Sequence, residues 1–322
     1  MGSRGADAGS AGRRWLAALP FVGPWLVGFA ALVAWPFAAS LYWSFCRYDL
    51  LTPPRLVGLA NYRRLADELV AGERLGQAAW NTLYFAAVSV PLSIVLGVGL
   101  ALMLSWQVRG RAIYRTLFFL PSVVPVVAAS VLWMWLLDPQ DGIVNHLLRS
   151  IGLAGPGWFK SFREAAWLPA WLSGEGGFGS KDALALMGLW GVGNFMVIYL
   201  AAIMDIPAQL YEAAQLDGAG PWRRLRHITL PMLSPVIFFN LVMGLIHAVQ
   251  VFTPAYLISQ GQGEPRGSLL LISLHLFLSA FKELDMGYAS AIAWTLLVAV
   301  LAATAILFRS ARRWVFYGGL RG

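Results

Sequence analysis

Side chains able to do chemistry are few and scattered in this 322-residue sequence. Its four histidines, His146, His227, His247 and His275, lie in different segments without His-Glu-x-x-His spacing, which argues against a metal-dependent hydrolase. Cys46 is the single cysteine, so an intrachain disulfide and a zinc site built on several thiolates are both excluded. A phosphate-binding loop requires Gly-x4-Gly-Lys-Ser/Thr. The nearest stretch, from Gly174 to Lys181, has the wrong order after its second glycine. What remains is binding chemistry. Asn194, Asn240, His247 and Gln250 interrupt long apolar stretches, and Phe252 and Trp294 lie in the same stretches. Polar groups in such surroundings are costly and need partners. Amides suit hydroxyl groups, and an aromatic ring suits the apolar face of a sugar. These six residues are therefore the candidate substrate pathway. Hydrogen bonding between helices and simple packing are the competing roles. Asn240, His247 and Gln250 step by seven and then three residues, so they share one face of a helix.

The elements that carry these residues belong in a membrane. The chain is 58% hydrophobic and 12% charged, against roughly a quarter charged in soluble domains. Its apolar residues fall in blocks of about 20, the length that crosses a bilayer as a helix. The sequence predicts an all-α, polytopic membrane helical bundle with six spans, at about 17–45, 79–105, 117–137, 183–204, 232–258 and 286–308. These form one transmembrane domain, 17–308, between tails 1–16 and 309–322. Each span contains Gly or Pro, which membrane helices tolerate. Arg13-Arg14 precede an apolar run too long for a signal core, so the first span is expected to stay uncleaved. Residues 268–281 are too short to cross and are expected to lie at the outer surface or dip back into the bundle. The outer loop 138–182 should turn at Asp138-Pro139-Gln140-Asp141-Gly142 and form a short helix near 143–151.

Charge orients the spans. With the N-terminus in the cytoplasm, segments 1–16, 106–116, 205–231 and 309–322 face inward. They hold 13 of the 24 basic residues and four of the 16 acids, a net +9; the other 11 basic and 12 acidic residues leave −1 elsewhere. This is the positive-inside asymmetry of membrane proteins. The overall charge of +8 is thereby mainly a topology signal, and nucleic acid is not an expected partner.

The most defined polar segment separates spans four and five. Asp205-Ile206-Pro207 opens it, with Pro favoured at a first helical position. A short helix over about 207–216 should follow. Gly218 permits a turn, Pro221 starts a second short helix, and Leu230-Pro231 closes the segment. Ala213 and Ala214 leave one face with little bulk, and Glu212 and Asp217 add charge near it. A plain connector explains any one of these residues. It does not explain Glu212-Ala213-Ala214, Gly218, Ile228 and Leu230-Pro231 at their joint spacing.

That spacing resembles, without gap or substitution, the Glu-Ala-Ala loop of binding-protein-dependent ABC importer permeases. Gly58-Leu59-Ala60-Asn61-Tyr62, Trp80-Asn81-Thr82-Leu83, Phe119-Leu120-Pro121, Gly142-Ile143-Val144-Asn145, Met286 to Ala291 and Trp314 to Tyr317 are similar to stretches of sugar permeases of the maltose and glycerol-phosphate type. Loop 154–182 departs from the family by its length. The resemblance implies a bacterial inner-membrane subunit with both termini cytoplasmic. It implies half of a sugar pathway, paired with a second permease, and a binding protein that delivers substrate at the outer face. It also implies two cytoplasmic ATPase subunits that hold ATP and Mg. No cofactor is then expected in this chain. Glu212, Ala213, Ala214, Asp217, Gly218 and Ala219 would seat against an ATPase. An ion-coupled secondary transporter is the rival class. Such carriers keep ionisable residues within the membrane, and the predicted span centres hold only His247. A scaffold subunit would not need polar residues aligned in span five.

Overall fold

A computed structural model describes residues 20–106, 109–162 and 178–316. The N-terminal tail with Arg4, Arg13 and Arg14, most of the Gly174–Gly179 stretch, and the C-terminal end with Tyr317 and Arg321 lie outside the described residues. The regular structure among the described residues is helical apart from one two-stranded hairpin.

Four helices are long and apolar enough to cross a membrane: α1 (Pro20–Ser44), α3 (Arg74–Ser105), α10 (Pro221–Ile258) and α12 (Met286–Trp314). Two bent pairs raise the number to six if each pair counts as one span. These are α4 (Arg111–Val123) with α5 (Val126–Leu136), bent by 99°, and α7 (Ser180–Trp190) with α8 (Gly193–Met204), bent by 50°. The expected spans at 117–137 and 183–204 correspond to these bent pairs. In the first pair the breaks have a covalent cause. Pro121 and Pro125 lack N–H groups, the chain tightens to a 3₁₀ turn over Leu120–Val123, and Val124 is extended. A residue before proline is pushed out of the helical region. In the second pair Gly191 and Val192 form a turn between the helices. Gly193 then starts α8 against Phe118; a Cβ there would lie 1.8 Å from the Phe118 carbonyl oxygen, so only glycine allows the approach.

The described residues divide into two compact units. One comprises residues up to Leu65 together with Ser279–Thr295. In it, α1 exposes Trp25, Leu32 and Trp35, as suits a helix solvated by lipid. Strands β1 (Cys46–Arg47) and β2 (Arg55–Leu56) pair antiparallel, Cys46 opposite Leu56. The start of α2 (Ala60–Ala71) is tied to that turn: Asn61 donates to the Ser44 and Cys46 carbonyls at 3.0 and 2.9 Å, and Tyr62 donates to Ser44 Oγ at 2.8 Å. Arg64 pairs with Asp285 at 2.9 Å and lies over the Tyr288 ring.

The other unit holds Ala66–Leu278 and the chain from Leu296 onward. Helix α3 is its centre, packed against α7, α8 and α10. Its 32 residues reach about 48 Å, more than the ~30 Å of a bilayer core. Two apolar clusters flank it, one with Leu184, Leu269 and Leu274, the other with Val98, Met196 and Leu233. Helix α6 (Ile143–Ser150) follows the Asp138–Gly142 turn, as the sequence predicts. Helix α11 (Ile272–Lys282) is too short to cross. Leu269, Leu271 and Leu274 at its start are fully buried, so this segment enters the unit and does not rest on its surface.

Candidate functional site

The polar loop builds as its residues dictate, up to a point. Pro207 caps helix α9 (Ala208–Leu216), and the helix ends in a Schellman motif. The Gly218 N–H donates to the Gln215 carbonyl at 3.0 Å, and the Ala219 N–H donates to the Ala214 carbonyl at 2.8 Å. This closure needs a left-handed residue just past the helix. Gly218 supplies it with φ +69°, and nothing lies within 4 Å of where its Cβ would be. The glycine is required by backbone conformation, not by crowding. Glu212, Ala213, Asp217 and Leu216 are exposed, Leu216 at 91%, while Ala214 and Ala219 are partly covered. A side-chain hydrogen bond ties α9 back: Tyr211 Oη meets Thr229 Oγ1 at 2.9 Å.

The expected closure at Leu230-Pro231 does not occur. From Pro221 the chain runs straight into span five as α10. A wider π turn over Leu225–Thr229, closed by the Leu230 N–H on the Leu225 carbonyl, precedes Pro231. That turn lets the helix pass a residue with no N–H to give. The second short helix is thus the extension of span five, so α9 hangs directly between two membrane helices.

The six pathway residues differ in their surroundings. Asn240 is buried beside the Tyr199 hydroxyl, and neither its amide nor that hydroxyl has a well-formed hydrogen bond among the described residues. Asn194 and His247 are exposed. Gln250 is exposed and lies just past the helical run Leu230–Val249, as its C-cap residue. The helix loosens over 250–252 and resumes at Thr253–Ile258. Phe252 sits at that break, its ring 5.4 Å from Tyr256 and 4.9 Å from Phe277. Ser273 Oγ donates to the Val251 carbonyl there. Trp294 lies in the first unit, 4.6 Å from the Phe37 ring, and its indole N–H donates to Ser40 at 3.1 Å.

Comparison with known proteins matches this arrangement. A protein-family model described as "Binding-protein-dependent transport system inner membrane component" covers residues 93–315. The chain belongs to that family. It is 39% identical to the probable ABC transporter permease protein YesP of Bacillus subtilis, over 98% of both chains. It is 30% identical to the sulfoquinovosyl glycerol transport system permease protein SmoG of Agrobacterium fabrum, over 94% of this chain and 92% of SmoG. It is 32% identical to the sn-glycerol-3-phosphate transport system permease protein UgpA of Yersinia pestis, over 91% and 93%. Among solved structures it is similar to a chain of the bacterial alginate ABC transporter in complex with alginate pentasaccharide-bound periplasmic protein. That match has a TM-score of 0.75 and 25% identity, over 94% of this chain and 96% of the other.

The permease also holds a polar junction that the sequence did not reveal. Lys181 and Asp182 were expected in the outer loop; they open α7 and are 1% and 6% exposed. Lys181 Nζ donates to Asn81 Oδ1 at 2.8 Å and lies over the Tyr84 ring. Tyr84 donates to Asp182 at 2.5 Å, and the other Asp182 oxygen accepts the Gly179 N–H at 3.1 Å. The Asn81 amide donates to the Gly267 and Leu270 carbonyls, and Ser180 meets Ser268 at 2.5 Å. A buried cation is tolerable only with such partners. The junction joins spans two and four to the segment ahead of α11. Asn81 and Gly179 were visible in the sequence, but nothing local signalled that they meet.

Beside it, loop 138–160 of the permease is cross-braced. Asn145 donates to the Pro139 and Pro156 carbonyls and accepts from the Trp158 indole at 2.7 Å. Lys160 pairs with Asp138 at 2.8 Å. That contact, with the Asp141 and Gln140 N–H groups, holds the Asp138 carboxyl down to about 2. Gln140, in the Asp138–Gly142 turn, is exposed. Asn61 and Tyr62 are used within the fold.

Proposed function

We propose that this permease is half of the membrane pathway of a sugar importer, driven through α9 by separate ATPase subunits. The observation that carries the proposal is the mounting of α9. A rigid nine-residue helix with a small-residue face stands exposed between the end of α8 and the start of α10. Any push on it is transmitted to two spans. Packed helices move between discrete arrangements, which converts such a push into an inward or outward opening. In this reading Glu212, Ala213, Ala214, Asp217, Gly218 and Ala219 face the ATPase. ATP and Mg stay in the partner chains, and both termini and α9 are cytoplasmic, as the basic residues demand. A second permease completes the pathway, and an extracytoplasmic binding protein supplies the substrate.

The substrate class is a sugar or sugar derivative. The substrates named for SmoG and UgpA, and for the alginate transporter, are polyhydroxylated. Within this chain the break in span five favours Gln250 and Phe252 as contacts. Irregular backbone is tolerated at membrane depth where it lines a cavity or is buried in protein. Asn194 and His247 are open to the same role, while the packing of Asn240 and Trp294 favours positioning of helices.

The test is Gly218→Val in the assembled complex. A Cβ at this position meets nothing within 4 Å, but a β-branched residue strains the left-handed turn. Co-purification of the ATPase subunits and ATP-dependent uptake into liposomes are both expected to fall by at least tenfold, since a change of about 1.4 kcal/mol suffices. Retention of both would remove α9 from the coupling mechanism. Uptake by the unaltered complex that follows an ion gradient without ATP would favour a secondary carrier.

A further inference from the structure

At the end of α3 opposite the buried junction lies a cavity of about 840 Å³, within the ~300–1,000 Å³ of ligand pockets. It sits where three membrane helices end or begin: Ser105 closes α3, Met204 closes α8 and Pro221 opens α10. Leu102 and Ile203 give it an apolar wall. Trp106 and Trp222 stand at its margin, each 70% exposed. Indole rings at helix ends mark the boundary between hydrocarbon and water. Arg224 lines the cavity, and its buried Nε has no hydrogen-bond partner among the described residues. Arg111 reaches the same wall, donating to Met204 Sδ at 3.1 Å. A thioether is a weak acceptor, and the Arg111 Nε has none.

We infer that this cavity binds one anionic phospholipid, with an acyl chain along Leu102 and Ile203 and the headgroup phosphate between Arg111 and Arg224. The juxtaposition carries the assignment: one guanidinium group in the lining, a second bonded to the thioether of the lining residue Met204, and two exposed indoles border an apolar slot where three membrane helices end or begin. Basic pockets between membrane helices take anionic headgroups for this reason. The lipid would also wedge beneath Tyr211, which lines the cavity and belongs to α9. The inference needs only that the chain spans a bilayer, and stands apart from the coupling role of α9.

Native mass spectrometry of the detergent-purified complex, titrated with phosphatidylglycerol or phosphatidylcholine, tests it. One phosphatidylglycerol per permease chain should be retained at a concentration on the order of tenfold below that for phosphatidylcholine, an effect of the size expected for two basic residues. Arg111→Gln with Arg224→Gln should abolish the preference. Ser105→Trp, which fills the slot and keeps both arginines, should abolish retention itself. Equal retention of the two lipids, or a preference that survives both variants, would overturn the assignment. So would a Trp222→Cys variant that cross-links to an ATPase subunit in full yield in lipid-depleted complex, because the slot would then be protein-covered. That last result would leave the coupling role of α9 intact.

Discussion

Near Asn81, at the start of α3, charged and amide side chains are shut inside the protein and bonded to one another. Near Ser105, 24 residues and about 36 Å along the same helix, the attached loop is exposed and held by its own backbone, with one hydroxyl pair joining it to span five. The first region gains rigidity from contacts that cannot be given up singly, since each buried group left without a partner costs its full desolvation. The second gains rigidity locally, through a proline cap and a left-handed glycine, and leaves most of its side chains exposed. An enclosed region and an exposed one are thus built from different materials, as the proposed coupling role of α9 requires.

Asn81→Ala challenges this contrast hardest. It removes an acceptor from Lys181 and a donor from two carbonyls at once. A loss of about 3 kcal/mol is expected, seen as a lower unfolding midpoint of the purified complex. An unchanged midpoint would show that the junction is not a fixed point. Tyr211→Phe deletes the hydroxyl pair under α9 and should cost about 1 kcal/mol. Hydrogen exchange should then rise in α9 and Pro221–Thr229 but not around Asn81; a rise at both ends would mean the regions are not independent.

The smallest effect lies in the braced loop beside the junction. Asp138 titrates below its ordinary value, so its contribution is complete above the unfolded value of about 4 and is lost as pH falls towards about 2. Lys160→Met removes its first cause and should move acid-induced opening of the Pro139 turn to higher pH, read by hydrogen exchange in the loop. No movement of that midpoint would leave the Lys160 contact without weight, as for many exposed pairs.

Much of the site was legible where its cause is local. The cap at Pro207, the turn at Gly218 and helix α6 after the Asp138 turn all follow from residues within a few positions of one another. The second short helix was misread because Leu230-Pro231 is a stop signal by local rules, and a π turn absorbed it. Helical periodicity assumes an unbroken helix, and it carries no warning that span five loosens just past Val249.

Apolar run length, the bias of arginine between alternate loops and the spacing from Glu212 to Pro231 depend only on neighbours along the chain; the first two marked a polytopic membrane protein, and the third carried its resemblance to the permease family. Which polar residues are enclosed depends on partners distant in sequence: Asn81 finds Lys181 at a separation of 100 residues and Leu270 at 189. No local pattern records such meetings, because the backbone must first bring the helices together before burial can decide which side chains lose water and must bond to each other.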